Sequence, residues 1–80
     1  MKKVLIVTSS PKKNREDFFN YENLTNIQRN NDSFVEVKFV TGNKQPLAKV
    51  YNRYLLNPQY RDYDIAFIHE DAVVDDFLFL

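Results

Sequence analysis

IAFIHEDAV, residues 65–73, decides how the rest of this chain is read. Four apolar residues, Ile65, Ala66, Phe67 and Ile68, stop abruptly on His69, Glu70 and Asp71. A short unbroken apolar run reads as a strand covered on both faces, the pattern of a parallel sheet. With Tyr63 and Asp64 in front of it, the strand is expected over residues 63–68. The ionisable trio then stands at its carboxyl end, the side on which open parallel sheets bind ligands.

Working upstream, Asn57-Pro58 ends a helix. In it Leu47, Val50, Tyr51, Tyr54 and Leu55 recur at i, i+3, i+4, i+7 and i+8, one apolar stripe, and Pro46 suits its first turn. Before it, residues 34–40 alternate. Val35, Val37 and Phe39 face one way, Glu36 and Lys38 the other, as in a strand with one partly wet face at a sheet edge. Thr41-Gly42-Asn43 closes that strand. A helix is expected over residues 16–29, with the Glu16-Asp17 pair at its positive end and Phe18, Tyr21, Leu24 and Ile27 on its apolar side. Residues 3–8 are a β-branched apolar run ended by Ser9-Ser10-Pro11, a buried first strand. The order β-α-β-α-β implies an α/β fold, a small three-layer Rossmann-like unit with a mainly parallel sheet and right-handed crossovers.

Composition agrees with one small folded domain. The 80 residues are 44% hydrophobic, with seven Phe and five Tyr. A domain of this size buries only about 60% of its unfolded surface. No stretch reaches the roughly 20 apolar residues of a membrane span, and the four-residue apolar run near the start is too short for a signal peptide. The absence of cysteine excludes disulfides, thiolate zinc sites and cysteine nucleophiles, and fits a cytoplasmic protein. Residues 1–40 carry seven Lys/Arg against five Asp/Glu, and residues 41–80 four against six. Neither half is basic enough to make nucleic acid the expected partner.

Two resemblances follow from particular residues. KVLIVTSSPKKN, residues 3–14, is similar to the opening of flavodoxin-like FMN reductases, where the loop after the first strand cradles the flavin phosphate. Here that loop has no Gly and runs into Glu16-Asp17. The single glycine, Gly42, also excludes Gly-x-Gly-x-x-Gly and P-loop signatures. LAKVYNRYL followed by DYDIAFIHEDAVVDDF resembles the family 2 glycosyltransferases of the GT-A fold. Ala48 and Asn52 match that family's helix, residues 65–68 its strand, and His69-Glu70-Asp71 its Asp-x-Asp site. Asp75-Asp76 matches the start of the next helix.

The second resemblance implies the N-terminal, nucleotide-sugar-binding half of a GT-A fold. In such a site a divalent cation bridges the donor diphosphate as a Lewis acid, and hard oxygen ligands suit Mg²⁺ or Mn²⁺. It implies Asp71 as metal ligand, His69 in place of the first Asp, and Glu70 beside them, facing ribose or metal. It implies donor contacts from Thr8, Ser9 and Ser10, from Thr41 and Asn43, and from Asn52. Lys44 and Lys49 stand within reach of a diphosphate, although single lysines are commonly solvated. Each assignment has a plainer counterpart. Acidic residues after a strand often solvate a turn, Ser-Pro is an ordinary turn, and Asp75 or Asp76 suits a helix N-cap.

Only residues 72–80 follow the acidic trio, so the 80 residues are expected to be a truncated GT-A-like domain. Glycosyl transfer would need an acceptor-binding half with its general base. The alternative is a non-catalytic interaction protein on the same scaffold, self-associating through Phe77, Leu78, Phe79 and Leu80 and an exposed sheet edge. FMN binding is the third reading.

Overall fold

The structure is a computed structural model and describes residues 3–73. Three strands, β1 (Val4–Ser9), β2 (Val35–Val40) and β3 (Asp64–His69), form one sheet in the order β2-β1-β3. Both pairings are parallel, with Val4 opposite Val35 on one side and Asp64 on the other. The central strand is the unbroken apolar run and is buried from Leu5 to Ser9, as its composition demands. The alternating run became β2, at an edge, where Glu36 and Lys38 remain half-buried and pair at 3.8 Å.

Two helices, α1 (Tyr21–Asn30) and α2 (Leu47–Leu55), cover opposite faces. On one face Ile6 and Val35 pack with Leu24 and Ile27 of α1. On the other, Leu5 and Val7 pack with Tyr60, Tyr54, Tyr63 and Phe67. The chain moves from β1 to β2 and then back across β1 to β3. Crossovers of one hand must then lie on opposite faces. The architecture is therefore the expected small three-layer α/β unit.

Three local expectations are corrected. The apolar run at residues 65–68 is not covered on both faces: β3 is the other edge of the three-stranded sheet, and Ile65, Ala66, Phe67 and Ile68 are half-buried. The first helix begins at Tyr21, and residues 15–17 form only a short 3-10 turn. Phe18 breaks the helical path in an extended conformation (φ −66°, ψ 136°). It is buried edge-on against Phe39 at 5.6 Å, and that contact outweighs local propensity. The apolar stripe of α2 is also less covered than its spacing implies. Val50 is buried and Tyr51 stacks on Phe67 at 4.0 Å, but Leu47 and Leu55 are 37% and 54% exposed. A three-stranded sheet is too narrow to lie beneath the whole stripe. Tyr54, on the same stripe, packs into the core with two tyrosines from outside the helix, Tyr60 meeting Tyr54 and Tyr63 at 5.9 and 5.1 Å.

Gly42 is where the backbone enters the left-handed region (φ 58°), and it donates its N–H to the Lys12 carbonyl at 2.7 Å. A Cβ there would meet nothing within 4 Å. Gly42→Ala should therefore cost only the conformational strain, about 1 kcal/mol, read as a small shift in urea midpoint without change of slope. The expected helix cap at Asp75 or Asp76 and association through Phe77, Leu78, Phe79 and Leu80 lie outside the described residues.

Candidate functional site

The direction of travel across the sheet reverses at β1, so the crevice of this α/β unit falls between the carboxyl ends of β1 and β3. A shallow hollow of about 280 Å³ lies there, lined by Ser9, Ser10, Pro11, His69, Glu70 and Asp71. A wider groove of about 570 Å³ runs past Leu55, Leu56 and Arg61 to the start of β3, at the opposite end of the sheet.

Beneath the hollow the β1 exit is knitted to its neighbours. Thr8 is fully buried, and its hydroxyl oxygen accepts from Asn20 Nδ2 at 3.2 Å. Ser9 Oγ accepts from Asn43 Nδ2 at 2.8 Å. Asn43 also closes its own turn, its Oδ1 accepting from the Gln45 N–H at 3.0 Å. The Ser10 hydroxyl donates to Glu70 Oε1 at 3.1 Å and accepts from the Lys12 N–H at 3.1 Å. Thr8, Ser9, Ser10 and Asn43 thus come together at the strand ends, with their polar atoms turned toward one another. Thr41 and Asn52 are exposed and do not line the hollow, and Lys44 and Lys49 are exposed as well.

After β3 the chain makes a turn, the Ala72 N–H donating to the His69 carbonyl at 3.0 Å. Glu70 and Asp71 occupy its two central positions and point to different fates. Glu70 turns inward. Its Oε1 meets Lys12 Nζ at 3.0 Å as well as Ser10, and its Oε2 accepts from the Phe19 N–H at 3.2 Å. Its carbonyl accepts from the Asn20 N–H at 3.2 Å. The Lys12 ammonium holds the Glu70 carboxyl below the ordinary glutamate range. The Phe19 and Ser10 donors add to this, and partial burial opposes it. His69 and Asp71 are exposed, and their side chains make no hydrogen bond or ion pair among the described residues.

The donor set does not fit a protein-built metal centre. No group of three or more His, Asp or Glu side chains placed to hold a metal occurs among the described residues. The Glu70 oxygens already have three donors, which leaves only His69 and Asp71 at the turn.

Two residues at this corner carry more of its geometry than their place in the sequence announces. Lys12 joins all three strand exits. Its Nζ reaches Glu70 and the Asp17 carbonyl (3.0 Å), and its own carbonyl takes the Gly42 N–H. Asn20 precedes α1 without capping it. Its Nδ2 bonds Thr8 Oγ1 and the His69 carbonyl (3.1 Å), and its buried Oδ1 has no partner. Asn is a common N-cap type, and that signal marks the true helix start, five residues after Glu16. Nothing local marks Lys12, whose partners stand up to 58 positions away in the chain.

No protein-family model, no curated protein and no solved structure matches this chain. The class defined so far is structural: a small parallel α/β unit with a polar hollow at its switch point. No helix among the described residues is long and apolar enough to cross a membrane.

Proposed function

We propose that this chain is a nucleotide-binding unit, the donor-binding portion of a nucleotide-sugar glycosyltransferase. The observation that carries the reading is the hollow between the β1 and β3 exits. The acidic trio and the Ser9-Ser10 pair stand together there, at the place where an open parallel sheet takes its ligand. The resemblance of residues 47–77 to family 2 glycosyltransferases supplies the choice of a nucleotide-sugar. Transfer to an acceptor would require a further part bearing a general base.

The test is a titration of the ¹⁵N-labelled chain with UDP, with Mg²⁺ present. Shifts gathered at Ser9, Ser10 and residues 69–71 are expected. A spectrum unchanged at millimolar UDP would sink the nucleotide reading. The interaction reading would then take its place, drawing on the exposed Leu47 and on Leu55 and Leu56, which line a groove with the start of β3.

A further inference from the structure

We propose that Ser10, Lys12 and the Phe19 N–H form a phosphate cradle, which the Glu70 carboxylate fills from within and a phosphate group of the nucleotide takes over. This rests on the nucleotide reading above and assigns the phosphate to the loop after β1 instead of the acidic turn.

Three donors of different kinds converge on one carboxylate: a hydroxyl at 3.1 Å, an ammonium at 3.0 Å and a backbone N–H at 3.2 Å. Such a set suits any oxyanion, and a phosphate offers more charge and more acceptor oxygens than a carboxylate. The cradle stands on the loop between the first strand and its helix, the place where open α/β sheets hold phosphates. Its Lys12 corner is held independently of Glu70. The Lys12 main chain is fixed by its own N–H to Ser10 Oγ at 3.1 Å and by the Gly42 N–H on its carbonyl at 2.7 Å. Entry is open, because the Lys12 side chain is 46% exposed and the hollow lies alongside. Glu70 sits in a turn whose neighbour Asp71 is exposed, so the carboxylate can leave without dismantling a strand. With Lys12 meeting the phosphate charge, binding needs no divalent cation, in keeping with the incomplete set of metal donors.

The experiment titrates UDP, and separately inorganic diphosphate, into the ¹⁵N-labelled chain in EDTA. It compares the unaltered chain with Lys12→Met, Glu70→Gln and Asp71→Ala, each checked first for a folded spectrum. UDP should shift the Ser10, Lys12 and Phe19 amides without metal. Lys12→Met should weaken binding about tenfold, the order set by one charge-assisted contact. Glu70→Gln should tighten it severalfold, and Asp71→Ala should leave it unchanged. UDP binding that needs Mg²⁺ and is lost in Asp71→Ala would overturn the cradle and leave the nucleotide reading standing. Inorganic diphosphate binding at these amides as tightly as UDP would support the cradle and remove the nucleotide. Binding of neither ligand, even to Glu70→Gln, would overturn both. Should Glu70→Gln not fold, the Lys12→Met comparison decides alone.

Discussion

Leu5→Ala is expected to lower the stability of this domain by about 2–5 kcal/mol, the range for emptying a fully buried leucine site. Leu5 has no solvent exposure. It sits at the centre of the face where Val7 and Tyr60 are buried and Tyr54, Tyr63, Ile65 and Phe67 close around them. Those rings are anchored in their own contacts, Tyr51 on Phe67 and Tyr60 on Tyr63, so they cannot collapse freely into the space left. A domain of this length holds only about 4–12 kcal/mol in total, so the loss is a large fraction of it. Thermal unfolding followed by circular dichroism should fall by at least about 10 °C. Leu56→Ala is the internal control. Leu56 is 81% exposed, and the change there should stay within about 0.5 kcal/mol. A Leu5→Ala variant that melts with the unaltered chain would show that this face of the sheet is not packed as described.

The second large effect lies at the strand exits. Glu70→Ala leaves the Ser10 hydroxyl and the Phe19 N–H without their acceptor, and it frees the loop that those bonds hold against β3. The Lys12 pair contributes little by itself, because that ammonium is nearly half exposed and screened. The two hydrogen bonds to a charged, largely covered carboxylate carry the effect, about 2 kcal/mol together. The same contacts set a pH dependence. The folded-state pKa of Glu70 is depressed, so the unfolded chain binds the proton more readily. Stability from this group is complete above the unfolded value near 4.5 and is lost as pH falls below it toward the folded value. Urea unfolding measured from pH 6 to pH 3 should show that loss. Glu70→Gln, which keeps the shape and cannot ionise, should flatten this part of the profile. An equal acid slope in both proteins would assign it to other carboxylates.

Much of the architecture was legible in residue order. The unbroken run at residues 4–7 marked a strand covered on both faces, and the alternation at residues 35–39 marked an edge strand. The stripe from Leu47 to Leu55 marked a helix that spans those residues, with Pro46 just outside it as the N-cap and not in the first turn. These signals are local, because a period of two or of 3.6 is written in neighbouring residues. The start of α1 was misread at Glu16 because the deciding contact, Phe18 on Phe39, joins elements that only the folded sheet brings together. The candidate site divides in the same way. The carboxyl-edge rule placed Ser9, Ser10 and residues 69–71 at one corner. It had no means of telling that Glu70 turns inward while Asp71 stays in water.

By itself, then, the sequence determined three parallel-type strands alternating with two helices, with polar residues collected at the strand exits. Hydrophobic period and turn chemistry act over a few residues and needed nothing else. Only the tertiary structure decided what the acidic exit does. Ser10, Lys12 and Phe19 lie 51 to 60 positions from Glu70 along the chain, and parallel pairing of β1 with β3 carries them to within hydrogen-bonding distance. That convergence turns a carboxylate in an exposed turn into the fastening of three loops.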